Sequence, residues 1–212
     1  MSELARELSA GLLPVRPSFV QRRLLTGSGV GALISIALVL ALLGPRPDMN
    51  RAMAAAMFWV KLAYPLSLAI VAGLAAERLA RPAATARGRI AWLALPFLAV
   101  AALAVGQFLA ASPASREALV MGSSARLCPF LVFAAALPPL LGLVWAMRGL
   151  APTRLAETGA VIGLVAGGTG AFVYAWHCTE RGAPFLALWY SLGILGAVML
   201  GAVLGPLLLR WK

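Results

Sequence analysis

Six long apolar runs dominate this chain and leave it little choice of fold. They are Leu24–Leu43, about Phe58–Ala76, Ile90–Ala110, about Phe130–Met147, Thr158–Trp176 and Phe185–Leu209. Crossing the hydrocarbon as a helix takes about 20 mostly apolar residues, and inside lipid a single segment satisfies its own backbone donors and acceptors only by coiling into a helix. The fold class is therefore all-α: a polytopic membrane protein with six transmembrane helices. Composition agrees, since 62% of the 212 residues are hydrophobic and 12% charged, against roughly 45–50% and 25% in soluble domains. The chain divides into an N-terminal segment, 1–23, and a transmembrane domain, 24–212. Neither can house a nucleotide-binding domain, a kinase or another globular catalytic module. The first run reads as a retained span rather than a cleaved signal, because Glu3 and Glu7 precede it and Gly44-Pro45-Arg46 offers no small-x-small cleavage site.

An even number of spans puts both termini on one side, and the basic residues indicate which. Of the 18 Lys and Arg residues, twelve fall in the N-terminal segment, the second and fourth loops and the C-terminus, whereas Arg46, Arg51, Arg116, Arg126 and Arg181 occupy the other three loops. Cytoplasmic loops carry the excess of Lys and Arg, so both termini are expected in the cytoplasm. Trp59, Trp92, Trp145, Trp176 and Trp211 lie near span ends, where an amphipathic ring prefers the headgroup level. In this topology a net charge of +11 reflects basic loops beside anionic lipid. No nucleic-acid-binding motif accompanies it.

Helices in lipid approach closely where small residues line the contact. Gly159, Gly163 and Gly167 recur every fourth residue on the fifth span, and Gly193, Ala197, Gly201 and Gly205 do so on the sixth. With a short connection between them, these two spans should form a tight antiparallel hairpin. The stripe could act as a rigid lever from the outer loop to the cytoplasmic face, but plain packing is the simpler reading and the preferred one.

Intramembrane ionisable residues are the first signs of transport or proton relay. Only Lys61 qualifies, and its place near the outer start of the second span lets it snorkel to the surface. All seven acidic residues lie in the N-terminal segment, in loops or at span ends. Intramembrane proteolysis is equally unsupported: the one histidine, His177, lies at the outer edge, and Gly122-Ser123-Ser124 is in a loop.

The two cysteines carry more information. Cys128 precedes the fourth span and Cys178 follows the fifth, so this topology places both on the outer, oxidising side. Pro129 suits the first helical position, which would set the Cys128 sulfur at a helix N-terminus, where thiolate is favoured. His177 beside Cys178 is a proton acceptor or a metal ligand. Two sulfurs and an imidazole suit Cu(I) or Zn²⁺, two sulfurs can form a disulfide, and the thiols can equally be unrelated; sequence leaves all three open. In the N-terminal segment, Leu4, Leu8 and Leu12 share one face of a short amphipathic helix that Pro14 should end. Such a helix is too short to stand alone in water, so it lies on the membrane or in a partner's groove.

From Cys128 to Trp211, the turn Arg148-Gly149-Leu150-Ala151-Pro152, the stretch Gly163 to Gly168, Tyr174-Ala175-Trp176-His177-Cys178, Trp189-Tyr190-Ser191-Leu192-Gly193 and the ending Gly201 to Trp211 resemble the six-span membrane anti-sigma factors of the NrsF type, the negative regulators of sigma factor F in proteobacteria. Leu12-Leu13-Pro14-Val15-Arg16 resembles the start of that family. The resemblance implies a regulator, not an enzyme, that holds an extracytoplasmic-function sigma factor inactive at the bacterial inner membrane and releases it when a periplasmic cysteine pair senses metal or oxidative stress. It implies Cys128 and Cys178 as the sensing residues with His177 as a helper, and Leu4, Leu8, Leu12, Leu13, Pro14 and Val15 as the sigma-binding element, aided by the loop from Arg78 to Arg89. No cofactor is required on this reading, with a transient Cu, Zn or similar ion as one form of signal. The sequence sets no oligomeric state. A small-substrate or metal-ion transporter, using the cysteines and His177 as its access site, is the alternative. A membrane thiol oxidoreductase ranks below both, for want of a second redox pair or a quinone-site signature.

Overall fold

Among the described residues of the computed structural model (18–81, 88 and 91–210) every regular element is helical, and six helices are long and apolar enough to cross a membrane. In chain order, α1 (Phe19–Leu42) leads through a short helix α2 (Met49–Met53) to α3 (Ala56–Leu79). Helix α4 (Ala91–Ala110) is followed by the short α5 (Pro113–Met121). Then come α6 (Cys128–Arg148), α7 (Leu155–Ala175) and α8 (Ala183–Leu208). The proposed sigma-binding residues Leu4, Leu8, Leu12, Leu13, Pro14 and Val15 lie outside the described residues.

Helix boundaries differ from the apolar runs for physical reasons. Helix α1 starts at Phe19 rather than Leu24, and runs through Arg22 and Arg23 because Arg23 has partners within the bundle. Its Nε donates to the Ala146 carbonyl at 2.8 Å, and its guanidinium stacks on the Trp145 ring at 4.7 Å. Planar Arg suits such stacking. Helix α6 begins at Cys128, so that residue lies inside the helix rather than before it.

Helix α7 is the axis of the molecule. Of its apolar window 83% is buried, against 11% for α4, and α8, α6 and α3 pack around it. Its glycines explain the closeness. A Cβ on Gly159 or Gly163 would come within 3.0 Å of backbone atoms of Gly201 and Gly205, or of Ala197 and Val198, on α8. The fifth and sixth spans thus touch main chain to main chain. Sequence inspection missed a second contact of this kind: Gly27 on α1 meets Gly142 on α6.

Pro138 and Pro139 stand inside α6. Proline has no N–H, so Pro139 leaves the carbonyl four residues back without its helical donor. Ser35 of α1, fully buried, supplies a replacement: its hydroxyl donates to the Ala135 carbonyl at 2.7 Å. Neighbouring helices re-satisfy freed groups in this way wherever a membrane helix tolerates proline.

The bundle has two distinct ends. At one, where α1 starts and α6 and α8 finish, Arg148 donates to the Leu208 carbonyl at 2.7 Å and Ala151 N–H to the Ala80 carbonyl at 3.3 Å. The other end gathers the α1–α3 connection, the start of α6 and the turn joining α7 to α8. There α8 opens with a π-helical turn over Leu186–Tyr190, a distortion frequent at functional sites.

Candidate functional site

The cysteines meet at this second end. After Ala175 the chain turns back so that His177 and Cys178 both bond through their N–H groups to the Tyr174 carbonyl, at 3.0 and 3.1 Å. This tucks Cys178 under the helix end. Cys128, anchored by its N–H to the Ser124 carbonyl at 2.9 Å, faces it from α6. Both thiols are free, at 0% and 3% exposure, and close enough to influence each other's ionisation. The Tyr190 hydroxyl, on the π turn, is fully buried and has no hydrogen-bond partner among the described residues.

Lys61 completes the group, and its position corrects the snorkelling expectation. It is 3% exposed and points inward, donating from Nζ to the carbonyls of Cys178 and Glu180, both at 2.8 Å. Its ammonium also lies 5.6 Å from the centre of the Tyr190 ring. Two carbonyl oxygens and an aromatic face thus stand in for water, which is what a buried ammonium needs.

Around this centre the 176–182 turn is tied down on every side. Arg46, 4% exposed, forks onto Asp48 at 2.8 and 3.1 Å and sends Nη1 to the Cys178 carbonyl at 3.2 Å, while its N–H bonds to the Trp176 carbonyl. Arg181 reaches the same Asp48 at 2.7 Å. Across the turn, the Glu180 carboxylate accepts from Ser123 N–H at 2.8 Å, Ser123 Oγ at 2.6 Å and Ser124 Oγ at 3.1 Å.

These contacts set the charge states outside the spans. Arg46, and then Arg181, hold the Asp48 carboxyl well below the usual carboxylate range. Partial burial works against ionising Glu180, yet the bonds from Ser123 and Ser124 outweigh it and bring its pKa down. For Cys178, the hydrogen bond donated by the Cys128 thiol and then the Lys61 charge overcome burial and pull the thiol below its ordinary value. Of the two, Cys178 is thus the thiol whose surroundings favour ionisation.

His177 takes no part in this pair. Its Nδ1–H donates to the Gly44 carbonyl at 2.8 Å and its ring leans toward Tyr174. Among the described residues no three His, Cys, Asp or Glu side chains are grouped to hold a metal ion. The structure thus joins Cys128 to Cys178, leaves His177 apart, and adds Lys61, Arg46, Asp48, Glu180 and Tyr190. Two weak signals foreshadowed these additions: a lysine in an apolar span without an acidic companion, and an Arg-x-Asp triplet in a loop.

Comparison with known proteins agrees in kind. A family model described as NrsF, negative regulator of sigma F, matches residues 8–211. An anti-sigma-F factor NrsF of Caulobacter vibrioides is 40% identical over 212 residues, which cover 98% of this chain and 96% of that protein. A probable anti-sigma-F factor NrsF of Azospira oryzae is 37% identical over 209 residues, covering 99% and 98%. No solved structure matches.

Proposed function

The chain belongs to the NrsF family of negative regulators of sigma F, and from that premise we propose how an anti-sigma factor of this build works. It sits in the bacterial inner membrane with both termini cytoplasmic and Cys128 and Cys178 facing the periplasm, the orientation favoured by its basic loops. Its N-terminal segment, from Leu4 to Val15, grips a sigma factor of the extracytoplasmic-function class. Oxidative stress outside joins the two thiols, and the sigma factor is released to RNA polymerase.

One observation carries this reading: two free, buried thiols brought side by side, one of them in a turn that Lys61, Arg46 and Ser123 hold in place. Oxidation of two thiols to a disulfide removes two protons and two electrons and draws the sulfurs to about 2.05 Å. Cys178 then moves toward α6, and the bonds from Lys61 and Arg46 to its carbonyl are strained or broken. Oxidation is favoured over metal capture because no third protein ligand joins the sulfurs among the described residues. To move a regulator from 1:99 to 99:1 in favour of release takes about 5.5 kcal/mol of differential stabilisation, which is within the scale of a covalent bond formed in one state only.

The test replaces both cysteines by serine in the full chain. Repression of the sigma-dependent promoter should persist while induction by peroxide is lost; ordinary induction in that variant removes the sensing role. Deleting residues 2–16 should abolish co-purification of the sigma factor, and retained capture would move the grip elsewhere.

A further inference from the structure

We propose that Lys61 is a positioning residue that makes Cys178, rather than Cys128, the first sulfur to be oxidised. The inference deepens the thiol-sensing reading above and rests on it. The two sulfurs are adjacent and similarly buried, so exposure does not distinguish them. Their surroundings do.

Cys178 has the Lys61 ammonium on its own carbonyl at 2.8 Å, near enough for that charge to act on its sulfur, and the Cys128 thiol beside it. Among the described residues Lys61 has no carboxylate in hydrogen-bond contact: Glu180 gives it only a main-chain carbonyl and turns its carboxylate to Ser123 and Ser124, while Asp48 is occupied by Arg46 and Arg181. A buried cation left without an anionic partner is costly, and negative charge on the Cys178 sulfur answers it. Nearby cations lower the thiolate's energy and set the site of attack. Lys61 also fixes the turn that carries this sulfur, through its two 2.8 Å bonds, so charge and placement come from one side chain.

The oxidant implied is a small hydroperoxide, able to enter where bulkier reagents are excluded. The Cys178 thiolate attacks one peroxide oxygen, an S–O bond forms, the O–O bond breaks, and the leaving hydroxide takes up a proton as water. Sulfur loses two electrons to the peroxide. Cys128 then attacks the sulfenic sulfur, the S–S bond forms and the S–O bond breaks. The departing hydroxide leaves with the Cys128 proton as a second water.

The experiment uses the full chain in lipid nanodiscs, with hydrogen peroxide as the probe and intact mass as the readout of oxygen added. Cys128→Ser, which keeps Cys178, should gain oxygen at least about ten-fold faster than Cys178→Ser. Adding Lys61→Gln, which keeps a donor but removes the charge, should bring the two rates within about two-fold, and Lys61→Arg should restore most of the difference. Equal rates in the single-cysteine variants, or an unchanged ratio in Lys61→Gln, overturns the proposal. Should Lys61→Gln fail to fold, the wild-type ratio and the Lys61→Arg ratio still decide it, since a faster Cys128 is incompatible with it. If the ratio behaves as expected but peroxide does not release the sigma factor, the sensing function fails and the role of Lys61 stands.

Discussion

The two ends of this bundle are held by different means. At the thiol end, side chains reach main-chain groups: Lys61, Arg46 and Glu180 together fix one turn of seven residues, 176–182, to three other parts of the chain. Toward the opposite end, helices meet backbone to backbone, as Gly159 does with Gly201 and Gly27 with Gly142, and arginines add single bonds to helix carbonyls. The first kind of construction depends on particular charges and can be undone by changing one group. The second depends on shape and resists chemistry.

Substitutions can break that contrast. Gly159→Leu should have the largest effect, because any side chain there must force α7 and α8 apart along their main chains; a loss of upwards of about 3 kcal/mol is expected, read as loss of monodisperse protein after thermal challenge in detergent. An unaffected melting temperature would mean that the seam yields easily. Arg46→Met should come next, leaving Asp48 with one partner fewer and the Cys178 carbonyl short of a donor, at about 2 kcal/mol, visible as a lower melting temperature. Asp48 also gives this end a pH dependence. Its folded pKa lies below the unfolded value near 4, so its contribution is fully present above about pH 4 and is lost as pH falls toward the folded value. The melting-temperature gap between wild type and Asp48→Asn should hold steady from neutral pH to about 4 and then close. Arg23→Ala, at the other end, removes a short hydrogen bond, a long exposed one and one ring stack and should cost about 1 kcal/mol; a cost as large as that of Arg46→Met would erase the distinction drawn here. Glu157→Gln, which breaks the exposed pair with Arg154, should shift stability by only about 0.3 kcal/mol.

Much of this architecture was legible in the sequence. Hydropathy in lipid is nearly a one-dimensional signal, so the six spans and the glycine-lined hairpin of the fifth and sixth could be read directly. The meeting of Cys128 with Cys178 could be read only as a shared compartment, since residues so far apart in sequence reveal no separation. Lys61 was misread for a deeper reason. A lysine near a span end looks the same whether it snorkels or turns inward, and what decides is the pair of carbonyls at Cys178 and Glu180, supplied by a turn formed over a hundred residues later. A helix start beside Cys128 is visible in sequence, whereas the lysine beside Cys178 is not.

The bond from Ser35 to the Ala135 carbonyl has its own consequence. It exists because Pro139 left that oxygen without a donor in a medium that offers no water, so α1 cannot swivel relative to α6 without stranding a polar group in hydrocarbon. The hydroxyl acts as a dowel between the two helices. Helix α6 opens with Cys128 and α1 carries the leading segment of the chain, so any twist imposed on the one is passed to the other by a route that bypasses α7 altogether.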